Sequence, residues 1–268
     1  MISGRTRLFV LLGRPVAHSC SPAMQNAAFQ ALGLDAVYAA LDCAPEETFA
    51  LATAIAGAGG GGNATVPHKT VLAAALEGPT ARVERLGSAN VFWGEGGRLM
   101  GDSTDLDGVL EALRALEALK RGPWLVAGTG GSARAIIGAA AECGTTVAVR
   151  SRTAERAKKF ADWAASVGVQ AAEPSACEVL INATPLGLAA GDPLPLSPGE
   201  FPKAKAALDL VYHRGETAWV TACRAAGLRA ADGREMLVAQ GAASLERWFP
   251  KARAPREVMR AAVARALA

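Results

Sequence analysis

The chain has 268 residues, a formal net charge of +3 and an apolar fraction of 51%. This length suggests one large domain or two ordinary ones, and the apolar fraction is typical of a soluble α/β protein with a buried core. The charge is too small to argue for nucleic-acid binding, and no basic run is interleaved with aromatic residues. We therefore expect no nucleic-acid partner.

The cysteines and histidines do not form the patterns of a disulfide framework or a metal site. Five cysteines are scattered, odd in number and without a C-x-x-C pair, and three histidines stand apart. No apolar run reaches the roughly 18 to 20 residues of a membrane span, and the run Leu8–Leu12 is too short for a signal peptide. We predict a cytoplasmic protein that holds no metal and does not enter a membrane.

The first strand and helix carry two serines between them. Leu8–Leu12 is predicted as a buried strand, and a helix is predicted from Pro22 to Leu32 with Ser21 as its N-cap. Ser19 and Ser21, two positions apart in an extended segment, would point the same way and at a helix N-terminus would suit a carboxylate. The alternative is that Ser21 only caps the helix and that Ser19 faces solvent.

The next segment places a lysine at the start of a helix. Asp35–Leu41 is predicted as a strand and Pro45–Ile55 as a helix, followed by a permissive loop with five glycines in residues 57–62. After a short strand, Lys69 opens a helix that ends at Leu76. The helix dipole and partial burial both disfavour a cation there, which makes Lys69 a candidate acid or base. The alternative is an exposed lysine.

A hairpin then leads into a helix that begins with acidic residues. Gly87–Trp93 and Arg98–Gly101 are predicted as strands joined by a glycine-rich turn. The segment Asp102–Asp105 opens a long amphipathic helix whose apolar positions continue to Leu119. The helix dipole favours Asp105 in the first turn, so helix capping explains this aspartate as well as catalysis does.

A dinucleotide-binding fingerprint follows a domain boundary at residues 122–123. The apolar strand Trp124–Ala127 is followed by the pattern G-x-G-x-x-A, and its small residues are Gly128, Gly130 and Ala133. Gly128 allows the turn, Gly130 lets the backbone approach a pyrophosphate, and the helix N-terminus favours phosphate. The alternative is a glycine-rich turn that binds no ligand.

The end of the following strand, Thr145–Val149, indicates which dinucleotide binds. An NAD site would place an acidic residue there to hold the ribose 2′-hydroxyl. This chain instead has Ser151, Arg152 and Thr153, with Arg156 one helical turn beyond Arg152. Guanidinium groups pair with phosphate in a bidentate fork, so we predict NADP rather than NAD. The alternative is a solvated basic face.

Strands and helices alternate through the rest of the chain. The predicted strands are Val179–Ile181 and Ala206–Val211, and the predicted helices are Ala154–Ser166, Thr217–Ala226, Met236–Trp248 and Pro255–Leu267. Such alternation favours parallel sheets that are covered by helices on both faces.

Eight short segments, in order along nearly the whole chain, carry a family resemblance. They are HSCSP at 18–22, NATVPHK at 63–69, GSAN at 87–90, GDSTD at 101–105, GTGGSAR at 128–134, NATP at 182–185, DLVY at 209–212 and MLVAQ at 236–240. On these segments the chain resembles the shikimate dehydrogenase family. Where the family pattern usually has other residues, this chain has Gln25, Ala64, Ser103 and Ser151, none of which removes a candidate acid or base.

The resemblance implies two α/β domains separated by a cleft. Residues 1–104, completed by helices in 237–268, would form the substrate-binding and catalytic domain, and residues 105–236 would form a Rossmann-type NADP-binding domain. The implied reaction is the reversible reduction of the small molecule 3-dehydroshikimate to shikimate with NADPH. We expect a monomer or a homodimer.

The resemblance also implies roles for individual residues. Lys69 and Asp105 would be the catalytic pair. Six residues would hold the substrate: Ser19, Ser21, Thr65, Asn90, Tyr212 and Gln240. Twelve residues on the glycine loop, the basic turn and later loops would hold the cofactor: Gly128, Thr129, Gly130, Gly131, Ser132, Ser151, Arg152, Thr153, Arg156, Thr184, Leu210 and Gly233.

Alternatives stay open at this point. Relatives of the same fold oxidise quinate or an amino analogue of shikimate, and some shikimate dehydrogenase-like proteins are poor catalysts. A non-catalytic dinucleotide-binding or sensing protein is another interpretation, and the presence of both Lys69 and Asp105 argues against it.

Overall fold

The computed structural model describes residues 2–268, which divide into two units. The N-terminal unit comprises the chain up to Gly108 together with Leu237–Ala268, and the central unit is Val109–Met236. Among the described residues, no helix combines the length and the apolar character that crossing a bilayer requires.

The N-terminal unit is built on a six-stranded sheet within residues 2–268, in the order β2-β1-β3-β5-β6-β4. The strands are β1 (Arg7–Gly13), β2 (Ala36–Asp42), β3 (Gly61–Ala64), β4 (Gly78–Pro79), β5 (Val91–Glu95) and β6 (Arg98–Asp102). β1 runs parallel to β2 and β3, but β5 runs antiparallel to both β3 and β6. The prediction of parallel sheets is therefore wrong for this unit, because β5 pairs antiparallel to β3 and the hairpin then turns β6 back against β5.

Helices cover both faces of this sheet. They are α1 (Ser21–Ala31), α2 (Thr48–Gly57), α3 (Lys69–Ala75), α4 (Ala81–Leu86), α9 (Arg234–Trp248) and α10 (Arg256–Ala266). Side chains alternate between the faces along a strand, so neighbouring residues of β1 enter different cores. Phe9 packs against Phe29 and Trp248, whereas Val10 joins the cluster that contains Leu72 and Phe92.

The glycine-rich segment at residues 57–62 is more ordered than the sequence suggests. Gly61 and Gly62 belong to β3 and are buried, so the prediction of a permissive loop over all six residues is wrong. A Cβ on Gly62 would lie 2.3 Å from the carbonyl oxygen of Val10 and 2.8 Å from the ring of Phe92. Gly61 and Gly62 are therefore needed because a side chain at either position would collide with a neighbouring strand, not because the segment is flexible.

The central unit has the parallel sheet that the sequence predicts. Its strands are β7 (Trp124–Ala127), β8 (Val147–Arg150), β9 (Val179–Asn182), β10 (Ala206–Asp209) and β11 (Arg229–Ala231), in the order β11-β10-β9-β7-β8. All neighbouring pairs are parallel. The helices are α6 (Gly131–Cys143), α7 (Ala154–Ser166) and α8 (Ala218–Ala225). The predicted fold class, a two-domain α/β protein with a Rossmann-type domain, is confirmed.

The helix in which the chain first passes from one unit to the other is shorter than predicted. α5 (Asp105–Ala115) ends four residues before Leu119. Glu117 has a φ of 54°, and the backbone N–H of Ala118 donates to the carbonyl of Leu113. Helices commonly end with one residue in the left-handed conformation and with this hydrogen bond. That residue is usually glycine, and because it is a glutamate here, the sequence carries no sign of the helix end.

Candidate active site

A buried ion pair lies in the N-terminal unit, between the first residues of two helices. Lys69 is the first residue of α3 and Asp105 is the first residue of α5. The Nζ atom of Lys69 lies 2.5 Å from Oδ2 of Asp105, and their side chains are 10% and 6% exposed. Residues 36 positions apart therefore meet in a site with little water, where electrostatic interactions are strong.

Asn90 connects this ion pair to the residues around it. Its side-chain N–H₂ group lies 3.0 Å from Oδ1 of Asp105, 3.0 Å from Oγ1 of Thr104 and 3.1 Å from Oε1 of Gln240. Its Oδ1 atom accepts a hydrogen bond from the backbone N–H of Thr104 at 2.7 Å. The Asn90 N–H₂ group has two protons, but three acceptor atoms surround it. It can therefore orient the Asp105 carboxylate while one of the three acceptors remains able to bind another donor.

The candidate residues of this unit lie at the end of the sheet where β1, β3 and β6 terminate. These three strands run in the same direction, and the reversed strand β5 begins at this end. Beside those strand ends lie the residues that sequence reasoning selected: Ser19, Ser21, Thr65, Lys69, Asn90 and Asp105. Asn90 and Asp105 flank the β5–β6 hairpin and therefore share one end of it, and the antiparallel pairing of β5 with β3 puts that end beside Lys69.

The serine turn differs from its prediction in two respects. The N-cap of α1 is Cys20, in the right-handed helical region, so the segment is not extended and Ser21 is the first helical residue. The Ser19 hydroxyl accepts a hydrogen bond from the backbone N–H of Ser21 at 3.2 Å. Pro22, which has no N–H to donate, allows the helix to begin one residue earlier than predicted. The two serines still lie together at the helix N-terminus.

In the central unit, the glycine loop leads from β7 into α6. Gly128 has a φ of 112°, and a Cβ there would lie 2.7 Å from the carbonyl oxygen of Ala183, so only glycine suits this turn. Gly130 is the N-cap of α6 and has no side chain to cap the helix. Apart from its chain neighbours, no atom of residues 2–268 lies within 4 Å of where its Cβ would be. This cradle and the helix N-terminus fit a pyrophosphate.

The basic turn follows β8. Thr153 is the N-cap of α7, and its hydroxyl accepts a hydrogen bond from the backbone N–H of Arg156 at 3.3 Å. Arg152 and Arg156 are exposed and form no ion pair with any residue from 2 to 268. Arg150, in contrast, pairs with Glu200. Two unpaired guanidinium groups beside the glycine loop suit a phosphate monoester.

The remaining cofactor candidates also follow strands of the parallel sheet. Thr184 follows β9, Leu210 follows β10 and Gly233 follows β11. A Cβ on Gly233 would lie 2.3 Å from the carbonyl oxygen of Leu210, so glycine is required for this contact. In parallel α/β sheets, ligands bind outside the carboxyl ends of the strands, where all twelve candidates lie.

Tyr212 and Gln240, the last two substrate candidates, belong to different units. Tyr212 is half-buried in the central unit, three residues after β10 ends. Gln240 lies on α9 in the N-terminal unit and is 9% exposed. Its Nε2 atom donates to the carbonyl of Leu237, so its Oε1 atom faces Asn90. Within residues 2–268, no group of three or more His, Cys, Asp or Glu side chains is arranged to hold a metal.

Comparison with known proteins identifies the family. Residues 11–92 match the family model described as "Shikimate dehydrogenase substrate binding domain", and residues 233–264 match the one described as "Shikimate 5'-dehydrogenase C-terminal domain". The chain is 39% identical, over 99% of its length and 99% of the relative's, to shikimate dehydrogenase (NADP(+)) of Anaeromyxobacter dehalogenans. The corresponding protein of Methylocella silvestris is 38% identical over 93% of this chain and 92% of its own.

The solved structures agree with the sequence relatives. The crystal structure of shikimate 5-dehydrogenase from Thermus thermophilus in complex with NADP(H) and shikimate superposes with a TM-score of 0.86 and is 36% identical, covering 97% of this chain and 99% of that one. The chain belongs to the shikimate dehydrogenase family. The resemblance seen in the eight sequence segments is thereby confirmed.

Sequence reasoning missed several buried polar residues of this shikimate dehydrogenase family member. Asn63 donates to the Ser244 hydroxyl at 2.9 Å and accepts from the Tyr38 hydroxyl at 2.9 Å. The Ser244 hydroxyl lies 2.9 Å from that of Thr104, which contacts Asn90. Asn63 and Thr104 stand inside the family segments, and Ser244 follows Gln240 by one helical turn, so helical spacing was the available signal.

A second buried network supports the loops of the central unit. Asp209, at the end of β10, accepts hydrogen bonds from the side chains of Asn182 and Thr217 and from the backbone N–H of Val211. Burial raises the pKa of the Asp209 carboxyl above its usual value, although the hydrogen bonds oppose this shift. Asn182 in turn holds the side chain of Thr184. Asn182, Asp209 and Thr217 are buried, and they hold in place the loops that follow β9 and β10.

Proposed function

We propose that this chain is an NADP-dependent shikimate dehydrogenase that interconverts shikimate and 3-dehydroshikimate. The observation that carries the proposal is the buried contact between Lys69 and Asp105. The relatives named shikimate dehydrogenase (NADP(+)), one of them 39% identical over nearly the whole chain, support the choice of substrate and cofactor. Residues 1–104, completed by 237–268, would bind the substrate, and residues 105–236 would bind NADP. The catalytic Asp105 itself belongs to the N-terminal unit, which extends to Gly108.

The carboxylate of the substrate would bind at the start of α1. The hydroxyl groups of Ser19 and Ser21 lie at the helix N-terminus, which favours an anion. The substrate hydroxyls would bind Thr65, Asn90, Tyr212 and Gln240, which are neutral hydrogen-bonding side chains. In Asn90 and Gln240, the amide groups are already oriented by other contacts, which reduces the entropy lost on binding.

The cofactor would bind at the carboxyl ends of the strands of the central sheet. Gly128, Thr129, Gly130, Gly131 and Ser132 would hold the pyrophosphate. Ser151, Arg152, Thr153 and Arg156 would hold the adenosine 2′-phosphate. The last three candidates would contact the nicotinamide: Thr184, Leu210 and Gly233.

Lys69 and Asp105 would perform the acid–base chemistry. NADPH supplies the hydride when it is bound. Negative charge then develops on the carbonyl oxygen, and the Lys69 ammonium stabilises that charge and donates a proton from Nζ. In the direction of oxidation, Lys69 accepts the proton of the substrate hydroxyl. Asp105, held by Asn90, keeps Lys69 oriented and compensates for the unfavourable helix dipole.

We also propose that the protein acts in the cytoplasm. All five thiols are free, and a reducing compartment keeps thiols in that form: Cys20, Cys43, Cys143, Cys177 and Cys223.

The proposed function is tested by mixing purified protein with shikimate and NADP⁺ and following the absorbance of reduced nicotinamide. Parallel reactions contain quinate or aminoshikimate, and each substrate is also tested with NAD⁺. We expect the highest kcat/KM with shikimate and NADP⁺. A higher kcat/KM with quinate or aminoshikimate would show that this compound, and not shikimate, is the preferred substrate. If neither NADP⁺ nor NAD⁺ is reduced with any of the three compounds, the non-catalytic interpretation is supported.

A further inference from the structure

One face of α9 makes three polar contacts with a single region of the N-terminal unit. The contacting side chains are four and three positions apart, which places them on one side of a helix: Gln240, Ser244 and Arg247. Their partners are Asn90, Thr104 in the loop between β6 and α5, and Asp102 at the end of β6. Asp105 follows Thr104 directly as the first residue of α5.

The outermost of these contacts is an ion pair between unequal partners. Nη2 of Arg247 lies 2.6 Å from Oδ2 of Asp102, and the Asp102 side chain is 2% exposed whereas that of Arg247 is 48% exposed. The other carboxylate oxygen of Asp102 accepts from the Thr80 hydroxyl at 2.7 Å and from the backbone N–H of Ser103 at 2.8 Å. Asp102 is therefore fixed at the end of β6, and Arg247 attaches α9 to it.

We propose that Arg247 is a positioning residue that sets the distance between Gln240 and the Lys69–Asp105 pair. The inference rests on the proposed function, in which Gln240 binds a substrate hydroxyl. Arg247 lies seven positions after Gln240, about two turns along α9. Other polar contacts of this part of α9 with the sheet and its loops are neutral: the Ser244 hydroxyl contacts Thr104 and Asn63, and the Trp248 indole N–H donates to the carbonyl of Phe92. Without the ion pair α9 is held less firmly, and Gln240 is less well positioned, whereas Asp105 keeps its contact with Asn90.

The expected result is a change in substrate binding with little change in turnover. In Arg247→Met the KM for shikimate rises roughly three- to tenfold, and kcat stays within about twofold of wild type, because uniform binding is lost and transition-state stabilisation is kept. Arg247→Lys, which keeps the charge, recovers part of the loss. Asp102→Asn has a similar effect, and the double variant is no worse than the more affected single one, since both changes remove the same contact.

The matched control is Arg260→Met, which removes an arginine paired with Glu257 on the surface of α10. It leaves KM and kcat at wild-type values. Equal KM values in Arg247→Met and wild type, or a loss of kcat with KM unchanged, would overturn the proposal. Additive effects in the double variant would also overturn it.

Amide hydrogen exchange separates this inference from the proposed function. We expect residues 240–248 to exchange faster in Arg247→Met than in wild type or Arg260→Met, because local opening becomes easier. If wild type does not oxidise shikimate, the proposed function fails, and Arg247 as a positioning residue for shikimate fails with it, whatever the exchange rates are. If wild type is active and the exchange is unchanged, only the inference fails.

Discussion

Lys69 lies where both its helix and its burial disfavour a positive charge. It is the first residue of α3 and is 8% exposed. The helix N-terminus carries a partial positive charge, and burial removes the hydration of an ammonium group. Asp105 offsets both effects through its contact at 2.5 Å. A lysine kept in such a place suits a role in which its proton is transferred.

Replacing Lys69 by methionine tests that role. We expect kcat for shikimate oxidation to fall by about 10²- to 10⁴-fold, which is the usual contribution of general acid–base catalysis. KM for shikimate should change little, since the proposed substrate ligands remain. Because removing one member of a buried ion pair destabilises a protein by about 3–5 kcal/mol, kcat is expressed per folded enzyme, measured by circular dichroism.

The control for this variant is Lys158→Met. Lys158 is exposed on α7, where it pairs with Asp162, and it has no proposed role in the reaction. It should retain full activity. If Lys69→Met keeps kcat within tenfold of wild type, Lys69 is not the acid–base group.

Arg152 determines the choice of cofactor in this account. Its guanidinium is exposed beside the glycine loop and has no ion pair within the described chain. We expect Arg152→Ala to raise KM for NADP⁺ roughly tenfold or more and KM for NAD⁺ by less than about twofold, because only NADP⁺ carries the 2′-phosphate. Lys159→Ala, on the exposed face of α7, is the matched control. Equal losses for both cofactors would refute the phosphate assignment.

The antiparallel pairing of β5 with β3 brings Asn90 and Asp105, which flank the β5–β6 hairpin, to the end of the sheet where Lys69 lies. The glycine turn in the sequence predicts the hairpin, but the direction of β5 against β3 depends on a pairing between distant segments. For this reason the sequence predicts Lys69 and Asp105 as candidates, but it does not predict at which end of the sheet they meet. Strands β4 and β11 are missed for a related reason, since they have two and three residues and depend on their neighbours.

Two glycines in the same region have opposite roles, and substitution distinguishes them. Gly62→Ala should lower the free energy of unfolding by about 1–3 kcal/mol or more, because its Cβ would collide with the backbone of β1 and with Phe92. Gly57→Ala should raise it by about 0.4–1 kcal/mol, because Gly57 lies in α2 with open space around its Cβ position. Denaturant unfolding measures both, and changes of the same sign would contradict this explanation of β3.

For the whole molecule, the local patterns of the sequence predict more than its long-range contacts. The fingerprint around Gly128, the basic turn and the serine turn are each contained in a few residues, so spacing and helix rules reveal them. Helical spacing places Ser244 and Arg247 on the same face of α9 as Gln240, but it does not reveal what they contact. Their partners lie about 140 positions earlier in the chain, and only the folded helix α9 brings them together.

The two units carry different parts of the proposed chemistry. The N-terminal unit holds the acid–base pair, and the central unit holds the loops proposed for NADP. Direct hydride transfer requires that the reacting carbon atoms of the two bound molecules be in contact, and it leaves no exchange with water.

The most direct test of the account is therefore to follow the hydrogen that moves. Shikimate carrying deuterium on the carbinol carbon that becomes the ketone is oxidised with NADP⁺, and the NADPH product is analysed by mass spectrometry. We predict that every NADPH molecule carries that deuterium and that the reaction is slower than with unlabelled shikimate where hydride transfer limits the rate. Deuterium released into water, or no NADPH formed at all, would contradict the account.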